Sequence, residues 1–193
     1  RDEWVEEPEW QEAVQKLKQQ GKIKGFGVSI IDHQSESALK LARSGLADTV
    51  QVIYNIFDQA PEDALFPLCR ELDTAVIARV PFDEGTLTGT LTRESEWPRG
   101  DWRNTYFVPE NLKASVEHAE ALRPLLPHGM SMPEMALRFI LSNPEVSTVI
   151  PGMRKTRHVE ANLAVSDQGP LEPDLLQRLR THRWDRQPTL WSQ

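Results

Sequence analysis

The 193-residue sequence predicts an α/β fold built around a parallel sheet, and two observations carry that expectation. Segments of helical period alternate with short apolar runs in the order α-β-α-β-α-β-α-α-β-α-α, the rhythm of parallel β/α architectures. One run, Thr74 to Val80 (TAVIARV), is apolar almost throughout, as expected of a strand covered on both faces.

The elements follow in order. Between Pro8 and Gln20 the apolar positions Trp10, Val14 and Leu17 recur at helical spacing, and Gly21 follows as a stop. Ile23 to Ile31 is short, apolar and glycine-bearing and empties into the polar turn Asp32-His33-Gln34, which predicts a strand at roughly Lys24 to Ser29. Ser35 to Ser44 carries Ala38, Leu39, Leu41 and Ala42 and ends at Gly45, a helix, while the β-branched and aromatic run Thr49 to Tyr54 (TVQVIY) is a second strand. A helix around Pro61 to Leu72 leads into the third strand, Thr74 to Val80. Residues 81–108 form a polar segment with little periodicity, longer than the roughly 12–15 residues of a structureless connector, and loops of that length are usually functional. Pro109 opens a helix to about Leu126, and Ser131-Met132-Pro133-Glu134 has the form of a capping box ahead of Met135 to Leu141. Val146 to Ile150 is the fourth strand and Thr156 to Val165 the helix after it. Residues 172–193 hold a terminal amphipathic helix, Glu172 to Arg183, and a polar, aromatic tail. A (β/α)8 barrel closes with eight strands over about 250 residues, so four units make half of one; either the other half exists elsewhere or the sheet is open. The first residue is Arg1 rather than Met, which leaves a start in mid-protein open.

Composition narrows the function classes. With 39% apolar and 26% charged residues and no biased tract, the chain is globular in character. A formal net charge of -7 argues against nucleic acid or an anionic membrane surface as a partner, because such a field attracts neither. The single cysteine, Cys69, excludes an intrachain disulfide and fits a reducing compartment, so a cytoplasmic location is expected. No apolar run approaches the roughly 20 residues needed to span a bilayer, and the acidic start Arg1-Asp2-Glu3-Trp4 holds no signal-peptide core. The five histidines show no H-x-x-x-H or H-E-x-x-H spacing, so no metal site is expected. The sequence also lacks G-x-G-x-x-G, a P-loop and G-x-S-x-G, the main motif support for Rossmann, nucleotide-hydrolase and serine-hydrolase functions.

Four segments, in order, resemble the aldo-keto reductase family: Gly21 to Ser29 (GKIKGFGVS), Gln51 to Asn55 (QVIYN), Pro81 to Gly89 (PFDEGTLTG), and Ile150 to Arg154 (IPGMR) followed by Asn162. The resemblance covers roughly residues 10–166. It implies a (β/α)8 TIM barrel, of which residues 1–193 would be the C-terminal half, strands five to eight of a single domain, completed by an upstream N-terminal half-barrel of the same protein. It implies an oxidoreductase that interconverts small carbonyl compounds, aldehyde or ketone, and alcohols with NADPH in preference to NADH. The alternative is a non-catalytic, dinucleotide-binding regulatory subunit of the same fold.

The same resemblance assigns residues. Ser29 and Gln51 would hydrogen-bond the nicotinamide carboxamide, for which a hydroxyl and a side-chain amide are suitable partners. Pro81, Gly85 and Leu87 belong to the loop that drapes over the pyrophosphate, where Gly85 allows close backbone approach. Asp83 and Glu84 carry the wrong sign for phosphate and are expected to face solvent or pair with a cation. Gly152, Met153 and Arg154, with Lys155 and Arg157 beside them at the start of a helix, look like the site for an adenosine ribose 2′-phosphate. Asn162 would contact adenine, and His158 stands where relatives often carry Gln or Arg. Two departures matter: Ile30 replaces an asparagine common after the serine, and Arg79 replaces an aromatic ring that stacks on nicotinamide. Arg79 is therefore expected to stack its guanidinium there or to reach a phosphate. The family's tyrosine, lysine, aspartate and histidine come from the first four strand ends; neither Tyr54 nor Tyr106 matches, so no catalytic residue is assigned in this chain.

Overall fold

The computed structural model describes residues 5–186; the acidic start at residues 1–4 and the aromatic tail at 187–193 lie outside them. Four strands, β1 (Gly27–Ser29), β2 (Thr49–Ile53), β3 (Ala75–Arg79) and β4 (Val146–Val149), form one sheet in the order β1-β2-β3-β4, and every neighbouring pair is parallel. Helices α1 (Pro8–Gln19), α2 (Leu39–Ser44), α3 (Leu65–Glu71), α4 (Arg103–Tyr106), α5 (Pro109–Leu122), α6 (Met132–Leu141), α7 (Thr156–Ala164) and α8 (Pro173–Arg180) lie before, between and after them. The expected alternation and the four expected strand positions are therefore present, and neighbours in sequence are neighbours in the sheet.

Boundaries differ where chemistry intervenes. The first strand is shorter than expected because Phe26 spends its N–H on the Asp48 carboxylate, at 2.6 Å, instead of on a neighbouring strand. Gly27 begins it because a Cβ there would lie 1.9 Å from the Thr49 hydroxyl on β2. Pro67 has no N–H to donate and is tolerated only in a first turn, so α3 starts at Leu65 rather than Pro61. Pro124 likewise ends α5 in a 3-10 turn, Arg123–Leu125. The capping expectation holds at α6, where the Ser131 hydroxyl accepts the Glu134 N–H at 3.2 Å.

Burial along the two central strands, β2 and β3, follows a period of two up to Val52 and Arg79. Val50 and Val52 on β2 and Val76 and Ala78 on β3 are buried beneath Phe66, Met135, Ala136, Phe139 and Ile140 of α3 and α6. The alternate positions, Gln51 on β2 and Ala75, Ile77 and Arg79 on β3, are only half-buried. The expectation that β3 is covered on both faces is corrected accordingly, since among the described residues helices pack on one face alone. Residues 81–108 are also better anchored than their polarity suggests. Trp97 stacks on Phe107 at 5.2 Å, and Leu91 and Trp97 join Tyr106, Phe107, Leu112 and Val116 in a second apolar cluster. These side chains lack a regular period, which is why the segment reads as unstructured from sequence.

Removing the cap of α6 orphans one helix N–H, so Ser131→Ala lowers unfolding free energy by about 1 kcal/mol, whereas Ser131→Gly costs only a few tenths. Urea unfolding of the two variants checks the difference.

Candidate functional site

Because the strands are parallel, the segments after all four leave from one edge of the sheet. Ser29 and Gln51 are register partners on the half-covered face, and the Gln51 amide donates to the Ser29 hydroxyl at 3.1 Å. The two expected carboxamide contacts thus sit side by side. Arg79, at the end of β3, reaches across β2: its Nη2 donates to the Ile30 carbonyl at 3.0 Å and pairs with the Asp32 carboxylate. The guanidinium therefore has a protein counter-ion that the sequence does not signal. Its Nε is buried and has no hydrogen-bond partner.

The loop after β3 is held in a conformation that side chains resist. Val80, Asp83 and Glu84 have φ of 54°, 46° and 56°, and Gly85 has φ of 112°. The left-handed region costs a non-glycine residue roughly 1–2 kcal/mol, more for β-branched valine, so contacts elsewhere must over-determine this path. They are present. Asn55 donates to the Val80 carbonyl at 3.1 Å while its own Oδ1 accepts the N–H groups of Phe57 and Asp58. The Phe82 carbonyl accepts the N–H groups of both Gly85 and Leu87, at 2.9 and 3.0 Å. Asp83 is buried and receives a bidentate bond from Arg186 at 3.0 and 2.5 Å, so of the two expectations for Asp83 it is the cation, not solvent, that holds.

Within the loop, Pro81 and Leu87 are buried, and the Leu87 side chain belongs to the main core, so only its main chain could meet a ligand. A Cβ at Gly85 would meet nothing within 4 Å, which leaves its backbone open to close approach. Burial, followed by the neighbouring Asp83 and Asp32 charges, raises the Glu84 carboxyl pKa; Arg79 and His33 oppose the shift. Burial works against the Arg186 charge, but attraction and hydrogen bonding to Asp83 outweigh it and raise the guanidinium's pKa.

Beyond β4, Gly152, Met153, Arg154, Lys155 and Arg157 are exposed and His158 is half-buried. α7 begins at Thr156 with no side-chain cap; the His158 N–H is met by the Lys155 carbonyl at 2.8 Å, and the start of the helix lies next in sequence to these cations. Asn162, further along α7, donates to the Gly152 carbonyl at 3.3 Å, and Arg157 donates to the His158 Nε2 at 3.4 Å.

Both tyrosines are buried in apolar clusters. Tyr54 donates its hydroxyl to Glu62 and receives the Asn143 amide at 3.1 Å; burial first, then the Glu62 charge, pushes its pKa far above the ordinary phenol range. Tyr106 is buried and shifted upward for the same first reason. His33, itself at positive φ, bonds the buried Asp58 through Nδ1 at 2.6 Å, another pair that the sequence does not single out. Among the described residues, no group of three or more His, Cys, Asp or Glu side chains is placed to hold a metal ion, and no helix is long and apolar enough to cross a membrane.

Known proteins resemble this chain along most of its length. The NADH-specific methylglyoxal reductase of Escherichia coli is 31% identical over 153 residues, 78% of this chain and 46% of that protein. The glycerol dehydrogenase of Gluconobacter oxydans superposes with a TM-score of 0.71 at 25% identity, covering 88% of this chain and 51% of that one. The holo form of an aldo-keto reductase from Bacillus halodurans gives 0.66 at 25% identity over 94% and 56%. The chain thus spans about half the length of the relatives it matches. The sequence profile described as Aldo/keto reductase family matches residues 2–183. With a four-stranded parallel sheet like that of the family's barrels and a match along nearly its whole length, the chain belongs to the aldo/keto reductase family.

Proposed function

We propose that this chain is the C-terminal half of a (β/α)8-barrel carbonyl reductase and supplies most of its NADPH site. The observation that carries the proposal is the shared edge: Ser29 at the end of β1, with Gln51 of β2 beside it, the strained loop at Gly85 and the cations around Arg154 lie toward or beyond the C-terminal ends of parallel strands. In barrels that edge carries the ligand. The three sets match the three parts of a dinucleotide in turn. Neutral hydrogen-bonding side chains suit an amide, an open glycine backbone suits a pyrophosphate, and an uncapped helix start flanked by arginines suits a 2′-phosphate.

Bound there, the cofactor would supply the hydride for interconverting a carbonyl compound and an alcohol. The residues of this chain orient and hold it. Gln51, already bonded to Ser29, would present its amide to the nicotinamide, and Arg79, held by Asp32 and the Ile30 carbonyl, would be a cation close by on the same part of the sheet. The proton donor is assigned to an upstream half-barrel, since Tyr54 and Tyr106 are committed to the core. That half also explains the half-covered face of β3 and a cleft of about 580 Å³ beside β1, lined by Trp10, Phe26, Val28, Ile30 and Leu41. Loss of NADPH absorbance with a generic aldehyde, measured on the full-length protein, tests the activity. Absence of both turnover and NADPH binding would overturn it.

NADPH is preferred over NADH on charge, although the Escherichia coli relative is NADH-specific by name. A 2′-phosphate carries between one and two negative charges where NADH has a hydroxyl, and Arg154, Lys155 and Arg157 stand exposed to meet it. Arg154→Ala weakens NADPH binding by about tenfold to a hundredfold and leaves NADH nearly unchanged. Paired titrations check this, and equal losses would remove the basis for the preference.

Glu84 gives a pH-dependent outcome. Its folded pKa lies above the ordinary 4.5, so the fold favours the protonated acid; stability present below 4.5 is lost as pH rises through the folded value. Glu84→Gln therefore stabilises the protein near neutral pH, with a gain that vanishes in acid. It also tightens NADPH by removing a charge beside the phosphates. Thermal melts across that range, with titrations alongside, check both.

A further inference from the structure

We infer that Arg186 is a positioning residue for the glycine loop, holding Asp83 in the left-handed conformation that sets the backbone of Glu84 and Gly85 for a phosphate. The inference rests on the dinucleotide function proposed above. Arg186 follows α8, in a short strap that crosses the exit of β2 before reaching the loop after β3. The strap is tied down at each residue. Arg183 pairs with Asp63 at 2.5 Å, the Trp184 N–H donates to the Phe57 carbonyl at 2.8 Å, and Asp185 accepts the N–H groups of Gln59 and Ala60 at 3.0 and 3.1 Å.

Arg186 itself is fixed from every direction. In its plane, Nε and Nη2 meet the two Asp83 oxygens, Nη1 meets the Asn111 side-chain Oδ1 at 2.9 Å, and Nη2 also meets the Ser115 hydroxyl at 2.9 Å. Above its plane the guanidinium carbon lies 3.7 Å from the Trp184 ring centroid, and that ring stacks on His118 at 3.9 Å. The Arg186 and Asp83 side chains are 6% and 2% exposed.

Such investment at one aspartate has a local consequence. Asp83 and Glu84 are consecutive non-glycine residues in a conformation each resists; the Asp83 N–H donates to the Val80 carbonyl at 3.1 Å and other backbone ties act on Val80, Gly85 and Leu87, while Arg186 holds the Asp83 side chain. Without Arg186, a carboxylate left buried and unpaired would turn outward, and φ at Asp83 would relax to its ordinary sign. The glycine backbone would then lose the path that leaves its Cβ side open. Two parallel bonds are needed to fix a planar carboxylate, which arginine supplies and lysine does not.

The test is titration of the full-length protein and its Arg186→Met and Arg186→Lys variants with NADPH and with adenosine 2′-monophosphate, which reaches the Arg154 cluster but not the loop. The expected result is a loss of NADPH affinity of about tenfold or more for Met and a smaller loss, several-fold, for Lys, with adenosine 2′-monophosphate unchanged. Amide exchange over residues 81–89 rises while β2 and β3 keep their protection. Equal losses for both ligands would show a purely structural role and overturn the inference. Wild-type NADPH affinity in the Lys variant overturns it whether or not the Met variant folds. A wild-type protein that binds neither ligand overturns the dinucleotide function and this inference with it.

Discussion

Parallel pairing forces every strand in this sheet to exit on the same edge, and the rest of the molecule is organised by that constraint. An antiparallel hairpin can return in two residues, but each parallel strand needs a crossover, and the crossover helices cover one face. The segments leaving the strands are then crowded onto one edge without a regular ladder to satisfy them. The structure meets this with side-chain bonds to backbone: Asn55 to Val80, Arg79 to Ile30, Asp185 to Gln59 and Ala60. The same crowding that creates the satisfaction problem collects the candidate ligand groups in one place.

Charge obeys the same logic. Asp32, Asp58, Asp83 and Glu84 gather near this edge in a chain that is already acidic, an unfavourable place to receive phosphates. Their repulsion is contained by specific partners: Arg79 for Asp32, His33 for Asp58, Arg186 for Asp83. Burial raises the Asp58 pKa more than His33 lowers it, and Glu84 is raised in the same way, so the fold disfavours ionisation of these two carboxyls.

Much of the fold was legible because it is written in local period. Val50, Val52, Val76 and Ala78 announce strands through the spacing that buries them, and Ser131 with Glu134 announces a helix start three residues apart. The site residues were legible only as short segments whose likeness to a family suggested roles. Geometry adds that Ser29 and Gln51 are bonded to each other and that Arg79 is paired. What sequence could not carry were pairings with no fixed spacing. Nothing near Asp83 points to Arg186, 103 positions away, and nothing in Trp97 and Phe107 marks them as a stack. The half-covered face was misread for a physical reason: alternation is masked when a strand's second face carries Ala75 and Ile77, apolar residues with no helix against them in the described residues.

The strap after α8 also bears on the order in which the protein is made. Its bonds close loops of 103 residues between Asp83 and Arg186 and 126 between Gln59 and Asp185. Such contacts carry a high closure entropy and cannot form until the last of those residues has been synthesised. Strands, helices and core can assemble on the growing chain, but the loop after β3 acquires the restraint from Arg186 only when translation has passed residue 186, so this loop matures later than the strand it follows.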